Sequence, residues 1–395
     1  MSHLASTAVR WALILLPVTA IAAEDATSAV SSTDASTTAA ATSAVAVPVD
    51  AGLVWLRTHQ RADGGWDGAA DAAGKDGKDA KGTDEADLIA SALAVLDFLG
   101  AGYDHQTPNR YRPTLVSALH HLEGHQQADG GFGSTIATAL ITTDLAEAYA
   151  MTGDQNMAGP AQRGVDAILA RQLRDGPGDD SSLGGWDDTL AVGMCVVALK
   201  SSTVAHLNTG KGPGPVGLEQ AKIWLTSTWQ AANPGWKDLD PAHAMTDFPM
   251  QASAPAAAPT TDAATEAAAI AAFCAVLVEP HHGDHGTLLR DAVGPTLVNH
   301  LCSPAGMSAA ATNALTAWIG TLAVFQFADD RWNQWDASVL AALRSGQHRD
   351  PGDLAGSWDP VAQGSGLFDG RVAVTALHEL ALEVAWRRAV VLGGK

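Results

Sequence analysis

The chain is poor in aromatic residues, in cysteine and in positive charge. Aromatics make up 6% of its 395 residues, with three tyrosines, so a large cavity walled by rings is not expected. Cys195, Cys274 and Cys302 are widely separated, which is not the spacing of a disulfide framework. Cys195 and Cys274 stand in apolar runs and read as small buried hydrophobes. Lysine and arginine number 23 against 43 acids, a net charge of −20. Nucleic acid needs a basic footprint and an anionic membrane surface attracts basic segments, so both are excluded as partners. The acidity itself serves solubility. No stretch alternates apolar and polar residues with period two, so almost no sheet is expected.

The apolar run Trp11 to Ile21 is short of the ~20 residues that span a bilayer. Arg10 precedes it and Ala20-Ile21-Ala22-Ala23 follows, which is the pattern of a signal peptide over residues 1–23. The expectation is export to the periplasm or the extracellular space. An uncleaved anchor is the alternative, and the only membrane contact foreseen. Residues 24–48 are almost all Ala, Ser, Thr and Asp and read as a disordered linker, because they carry too little apolar surface to order themselves.

What the chain does have is a repeat. His59-Gln60-Arg61-Ala62-Asp63-Gly64-Gly65-Trp66 returns as His125-Gln126-Gln127-Ala128-Asp129-Gly130-Gly131-Phe132. Gln230 to Gly235-Trp236 keeps the same span, while Gln172 to Gly184-Gly185-Trp186 and Gln347 to Gly356-Ser357-Trp358 stretch its middle. Each copy follows an amphipathic helix and precedes a second, more apolar helix rich in Ala, a residue that loses no side-chain entropy in a helix. The expected pairs are Ala51–Gln60 with Thr83–Leu99, Pro113–Gln126 with Thr135–Met151, Ala161–Gln172 with Asp187–Lys200, and Leu218–Gln230 with Thr261–Val278. Ala309–Phe327, Trp332–Ser345 and Arg371–Trp386 complete the set. The glycines permit positive φ where the helix stops, the Gln serves the frayed helix end, and the aromatic covers the joint. On this reading Gln60, Trp66, Gln126, Phe132, Trp186, Trp236 and Trp358 are structural. Asp67 to Gly82 and Met245 to Thr261 are low-complexity insertions expected on the surface, the places for a lid if one exists.

The Gln-x-x-x-Gly-x-Trp spacing resembles the QW repeat of squalene and hopene cyclases, and the Gly-Gly-Phe/Trp turn resembles that of protein prenyltransferase β-subunits. Ala146-Glu147-Ala148-Tyr149-Ala150-Met151-Thr152-Gly153, and Gly356-Ser357-Trp358-Asp359-Pro360 followed by Gly370-Arg371-Val372, are similar to exported planctomycete-type proteins that carry only such prenyltransferase/squalene oxidase repeats. The resemblance runs from about Val49 to the end. It implies an all-α fold, an α/α toroid over residues 49–392 in which an inner ring of helices lies inside an outer one. From the cyclases it would also imply a proton-donating Asp in an Asp-x-Asp-Asp-Thr-Ala motif. Here Gly185-Trp186-Asp187-Asp188-Thr189-Leu190 keeps the last two acids and the Thr, with Gly185 and Leu190 at the other two places. The Asp-x-Cys zinc motif of the prenyltransferases does not occur.

Acids begin the second helix of each pair: Asp84, Glu85 and Asp87; Asp187 and Asp188; Asp262 and Glu266; and Asp369 before Arg371. They cap helices on one reading, satisfying free N–H groups and the positive helix end. On the other they form an acidic rim that holds a ligand. His281-His282-Gly283-Asp284-His285 offers metal-ligand side chains but no helical spacing to aim them, so His281, His282 and His285 read as a solvated loop; no metal or cofactor is expected. The leading functional expectation is a module that binds an apolar or isoprenoid-like molecule, a glycan or a protein at the cavity or rim. The alternative is a class II terpenoid cyclase with Asp187 and Asp188 as its acids.

Overall fold

A computed structural model describes residues 49–69, 84–172, 185–186, 188–210, 216–232, 261–278, 289, 293–327, 330–360 and 367–392. The two expected insertions fall outside these residues for most of their length, as do the signal peptide, the linker and the His281–His285 cluster. The described residues are all-α, with no strand among them. In chain order the helices are α1 (49–58), α2 (Asp84–Gly100), α3 (Arg112–Gly124), α4 (Thr135–Thr152), α5 (Gln155–Arg171), α6 (Thr189–Val204), α7 (Leu218–Ala232) and α8 (Thr261–Val278). After them come α9 (Gly294–Leu301), α10 (Pro304–Thr312), α11 (Ala314–Phe327), α12 (Asp330–Trp335), a π-helical turn Asp336–Leu340, α13 (Ala341–Gly346) and α14 (Arg371–Leu392).

Two kinds of helix alternate, and burial separates them. In α4 every residue from Thr135 to Ala148 is buried, and in α2 every residue from Leu88 to Gly100. Such helices are enclosed on all sides, which explains why they lack a polar face. In α5 the buried residues are Met157, Pro160, Ala161, Gly164, Val165, Ala167 and Ile168, a single stripe with polar residues opposite. The enclosed helices α2, α4, α6, α8, α11 and α14 pack each on the next, and α14 packs back on α2, so their contacts form a closed circuit. The striped helices lie against this circuit: α3 on α2 and α4, α5 on α4 and α6, α7 on α6 and α8.

The repeated grammar of the turn has a physical basis in the copies that the structure describes. Gln60 Nε2 donates to Gly64 O at 2.8 Å and to Thr114 O, at the start of the next striped helix, at 3.0 Å. Gln126 does the same with Gly130 O and Pro160 O. Gln172 donates to Gly217 O and Gln347 to Gly356 O. Gln60, Gln126 and Gln172 therefore tie their turns to the following striped helix, and Gln347 braces its own turn. Helix-end capping falls instead to the aromatic. The indole N–H of Trp66 donates to Leu56 O, that of Trp186 to Ile168 O and that of Trp358 to Leu343 O, each near the end of the preceding helix. The backbone N–H of the same aromatic reaches a hydroxyl of the enclosed helix: Ser91 from Trp66, Thr138 from Phe132, Thr375 from Trp358. Gly64 and Gly130 take φ of 93° and 86°, and a β-carbon there would also collide with the backbone of Ser117 or Arg163 in the neighbouring helix. Trp236 lies outside the described residues.

Several boundaries differ from expectation for local reasons. α5 begins at Gln155 because Asp154 caps it by accepting from Asn156 N, and Pro160 is tolerated inside it. The expected helix Ala309–Phe327 is two, since Asn313 stops α10 and its Oδ1 accepts from Thr316 N to start α11. α9 was not foreseen from the sequence; it opens with Gly294-Pro295, a proline at the first turn.

The first and last repeats meet where the circuit closes. Trp55 Nε1 donates to Asp353 O at 2.8 Å, and His59 stacks on Trp55 with its Nε2 3.6 Å from Asp353. Gly52 of α1 lies so close to α14 that a β-carbon on it would coincide with the Glu379 carboxyl.

Candidate functional site

The acids that open the enclosed helices gather on two arcs. On the first, α2 and α14 begin side by side over Gly68. Its N–H donates to Asp87 Oδ1 at 2.8 Å, and Gly370, just before α14, is packed against its carbonyl. Asp87 also takes Arg61 Nη1 at 2.5 Å, and Arg61 reaches Asp63 as well. Asp87 is thus part of the turn. Arg371 is buried and donates to Trp358 O at 2.9 Å, to Ser357 Oγ at 3.3 Å and to Asp359 Oδ1 at 3.1 Å. Its role is to hold the last turn. The Asp359 carboxyl is kept below its ordinary range by His348, 2.8 Å away, and then by Arg371. Asp84 is exposed at the first residue of α2; Glu85 and Asp369 are half-buried.

On the second arc the starts of α6, α8 and α11 come together. Asp188 adopts extended backbone before α6, and its Oδ1 accepts from Ala191 N at 2.8 Å, an N-cap. Glu266, in the second turn of α8, accepts from Asn313 Nδ2 at 3.4 Å, and Asn313 itself begins α11. Burial pushes the Glu266 carboxyl above the ordinary glutamate range; the Asp188 charge adds to this and the Asn313 amide opposes it. A half-buried acid beside a second carboxylate holds its proton to higher pH than a free one, and accepts hydrogen bonds from a ligand once that proton leaves. Asp187 and the side chain of Asp262 lie outside the described residues.

Beyond this group the helices of the circuit are buried along most of their described length. Ala191 to Leu199 of α6, Ala267 to Leu277 of α8 and Ala314 to Val324 of α11 are all buried, as are the matching parts of α2 and α4. Among the described residues no group of three or more His, Cys, Asp or Glu is placed to hold a metal, and no helix is long and apolar enough to cross a membrane.

The sequence reading missed a second set of acids, buried in the middle of enclosed helices: Asp97 in α2, Asp144 and Glu147 in α4, and Glu379 and Glu383 in α14. Asp97 and Asp144 occupy the same register, each six residues beyond the hydroxyl, Ser91 or Thr138, that accepts the turn's N–H. Among the described residues neither Asp144 oxygen has a hydrogen-bond partner, and burial first, then Glu147, holds that carboxyl well above its ordinary range. Glu147 accepts from Ser201 Oγ of α6 at 3.3 Å. The signal was present in the sequence as single acids inside otherwise apolar runs, such as Val95-Leu96-Asp97-Phe98-Leu99.

No protein-family model matches the chain, and no curated protein matches it. Among solved structures it is similar to one described as a crystal structure of a protein from Actinoplanes. The identity is 16% over 86% of this chain and 99% of that one, with a TM-score of 0.45, too loose a likeness to carry a functional argument.

Proposed function

We propose that the chain is an exported α/α toroid whose closed circuit of enclosed helices is the inner ring, and that it is a binding module working at the acidic mouth. The observation that carries this reading is the Asp188–Glu266–Asn313 group, half-open to solvent above a circuit that is buried along its described length. A half-buried group of carboxylates and an amide suits a ligand rich in N–H or O–H donors, such as a glycan or a basic segment of a protein, better than a wholly apolar isoprenoid. The test is calorimetric titration of the mature protein with neutral oligosaccharides, basic peptides and polyprenyl alcohols. Binding of one of the first two that is lost in Glu266→Gln supports the reading. Binding of the polyprenyl alcohol alone, or binding indifferent to Glu266, refutes it.

The raised Glu266 carboxyl beside Asp188 favours a second reading, a class II terpenoid cyclase-like isomerase in which Glu266 is the proton donor. Conversion of squalene or a shorter polyprenoid, followed by mass spectrometry and abolished in Glu266→Gln, would establish it over binding.

A further inference from the structure

Where α14 packs against α2, helices from the two ends of the described chain close the circuit, and the contact is built around carboxyl groups. Glu379 of α14 is fully buried, with Asp97 of α2 and Glu383 one turn along acting on it. Among the described residues the side chain that reaches the Glu379 carboxyl is another acid, Asp97. The Glu379 carboxyl is wedged against Gly52 of α1, where even a methyl group would not fit. The buried phenol of Tyr111, close enough to feel the Glu379 charge, has no hydrogen-bond partner among the described residues.

Among the described side chains, the other elements packed on α14 bring no uncompensated cation. α11 has no ionisable residue, and Arg344 of α13 is paired with Asp336 of the π-helical turn. His378 of α14 packs on Trp358, and burial takes its imidazole down to about 4, so it is neutral near pH 7. Arg57 and Arg110 are exposed and act on Tyr111 from outside, and Arg110 is paired with Asp50. Neighbouring carboxylates enclosed in a medium of low dielectric do not all ionise.

We propose that the α2–α14 contact is a proton-dependent latch: the circuit closes with a proton held among Asp97, Glu379 and Glu383, and opens reversibly at this contact as pH rises. The direction agrees with Glu379, whose carboxyl is pushed well above the ordinary glutamate range by burial first, with Glu383 adding and Asp97 opposing. A group whose folded value is raised holds its proton in the closed state over a window in which the open state has lost it. Closure is therefore unaffected below the ordinary carboxylate range and weakens as pH climbs from there toward the folded value, with about tenfold loss in the closed-to-open ratio per pH unit for one proton.

The test is amide hydrogen exchange of the full chain across pH, each rate taken relative to an unstructured peptide at the same pH. The expectation is that α2 and α14 exchange through an opening that leaves α6 and α8 more protected, that this opening gains about tenfold per pH unit, and that Glu379→Gln flattens its profile. Asp97→Asn is the second variant, and decides if the first does not fold. One common level of protection in all four helices, or an unchanged α2 and α14 profile in the folded variants, overturns the latch.

Discussion

Replacing Trp358 by phenylalanine isolates one bond of the shared turn. The indole is 3% exposed, donates to Leu343 O at 2.8 Å and meets the His378 ring edge-on at 5.5 Å. Phenylalanine keeps an aromatic ring next to Cβ but removes the N–H and the outer part of the indole. The backbone bond from Trp358 N to Thr375 Oγ1 survives, so the turn itself is retained. Leaving the Leu343 carbonyl without this donor costs about 1–3 kcal/mol, and the lost ring atoms about 1 kcal/mol more. With unfolding entropy scaled to a domain of this length, the melting temperature should fall by about 3–6 °C. The second repeat carries Phe132 at the corresponding place, so the variant should still fold with unchanged helix content. Differential scanning calorimetry reads the shift. A fall of less than about 1 °C would mean that the indole bond adds nothing and that helix-end capping is not the tryptophan's task.

Three further outcomes follow from named contacts. Asp188→Ala should cost about 0.5–2 kcal/mol in urea unfolding through loss of the α6 cap, while Glu266→Gln stays within about 0.5 kcal/mol; the reverse order would reassign the two acids. Gly52→Ala, a favourable change for a helix in isolation, should destabilise by about 1–3 kcal/mol because of the Glu379 carboxyl, and a neutral result would refute that approach. Asp144, held above its ordinary range, keeps a proton in the folded state that the unfolded chain releases. Stability should therefore fall by about 1.4 kcal/mol per pH unit above the ordinary carboxylate range until that group ionises. Asp144→Asn should remove this part of the decline, and equal slopes in the two proteins would refute it.

The all-α class and the helix pairs were legible because a repeated turn marks the end of the first helix of a pair and apolar residues mark the enclosed partners. Their closure into a circuit was read from resemblance, since nothing in local pattern says that α14 returns to α2. Of the two roles open to the acids at the helix starts, Asp188 takes the capping one. Whether Asp87 meets a ligand or Arg61 depends on a turn folding back over it, a tertiary fact. Glu266 stands out only once Asp188 and Asn313 arrive from two other helices. Asp97 and Glu379 were overlooked because a single acid in an apolar run resembles a surface break in periodicity, and only packing reveals that both sides are covered. Asp187, Asp262, His281, His282, His285 and Trp236 lie outside the residues on which the geometry bears.

The hydrogen bond from Trp55 to the Asp353 carbonyl joins residues at opposite ends of the repeat array. In a linear stack of helical repeats the terminal units have one neighbour and fray first. Here the first unit has a neighbour on each side, and so does the last. While the α2–α14 contact holds, melting has no edge from which to start, and losing any one module strips contacts from two others. With that contact closed the array should come apart in a single step, and a nascent chain should gain little protection from proteolysis until its final helix has arrived.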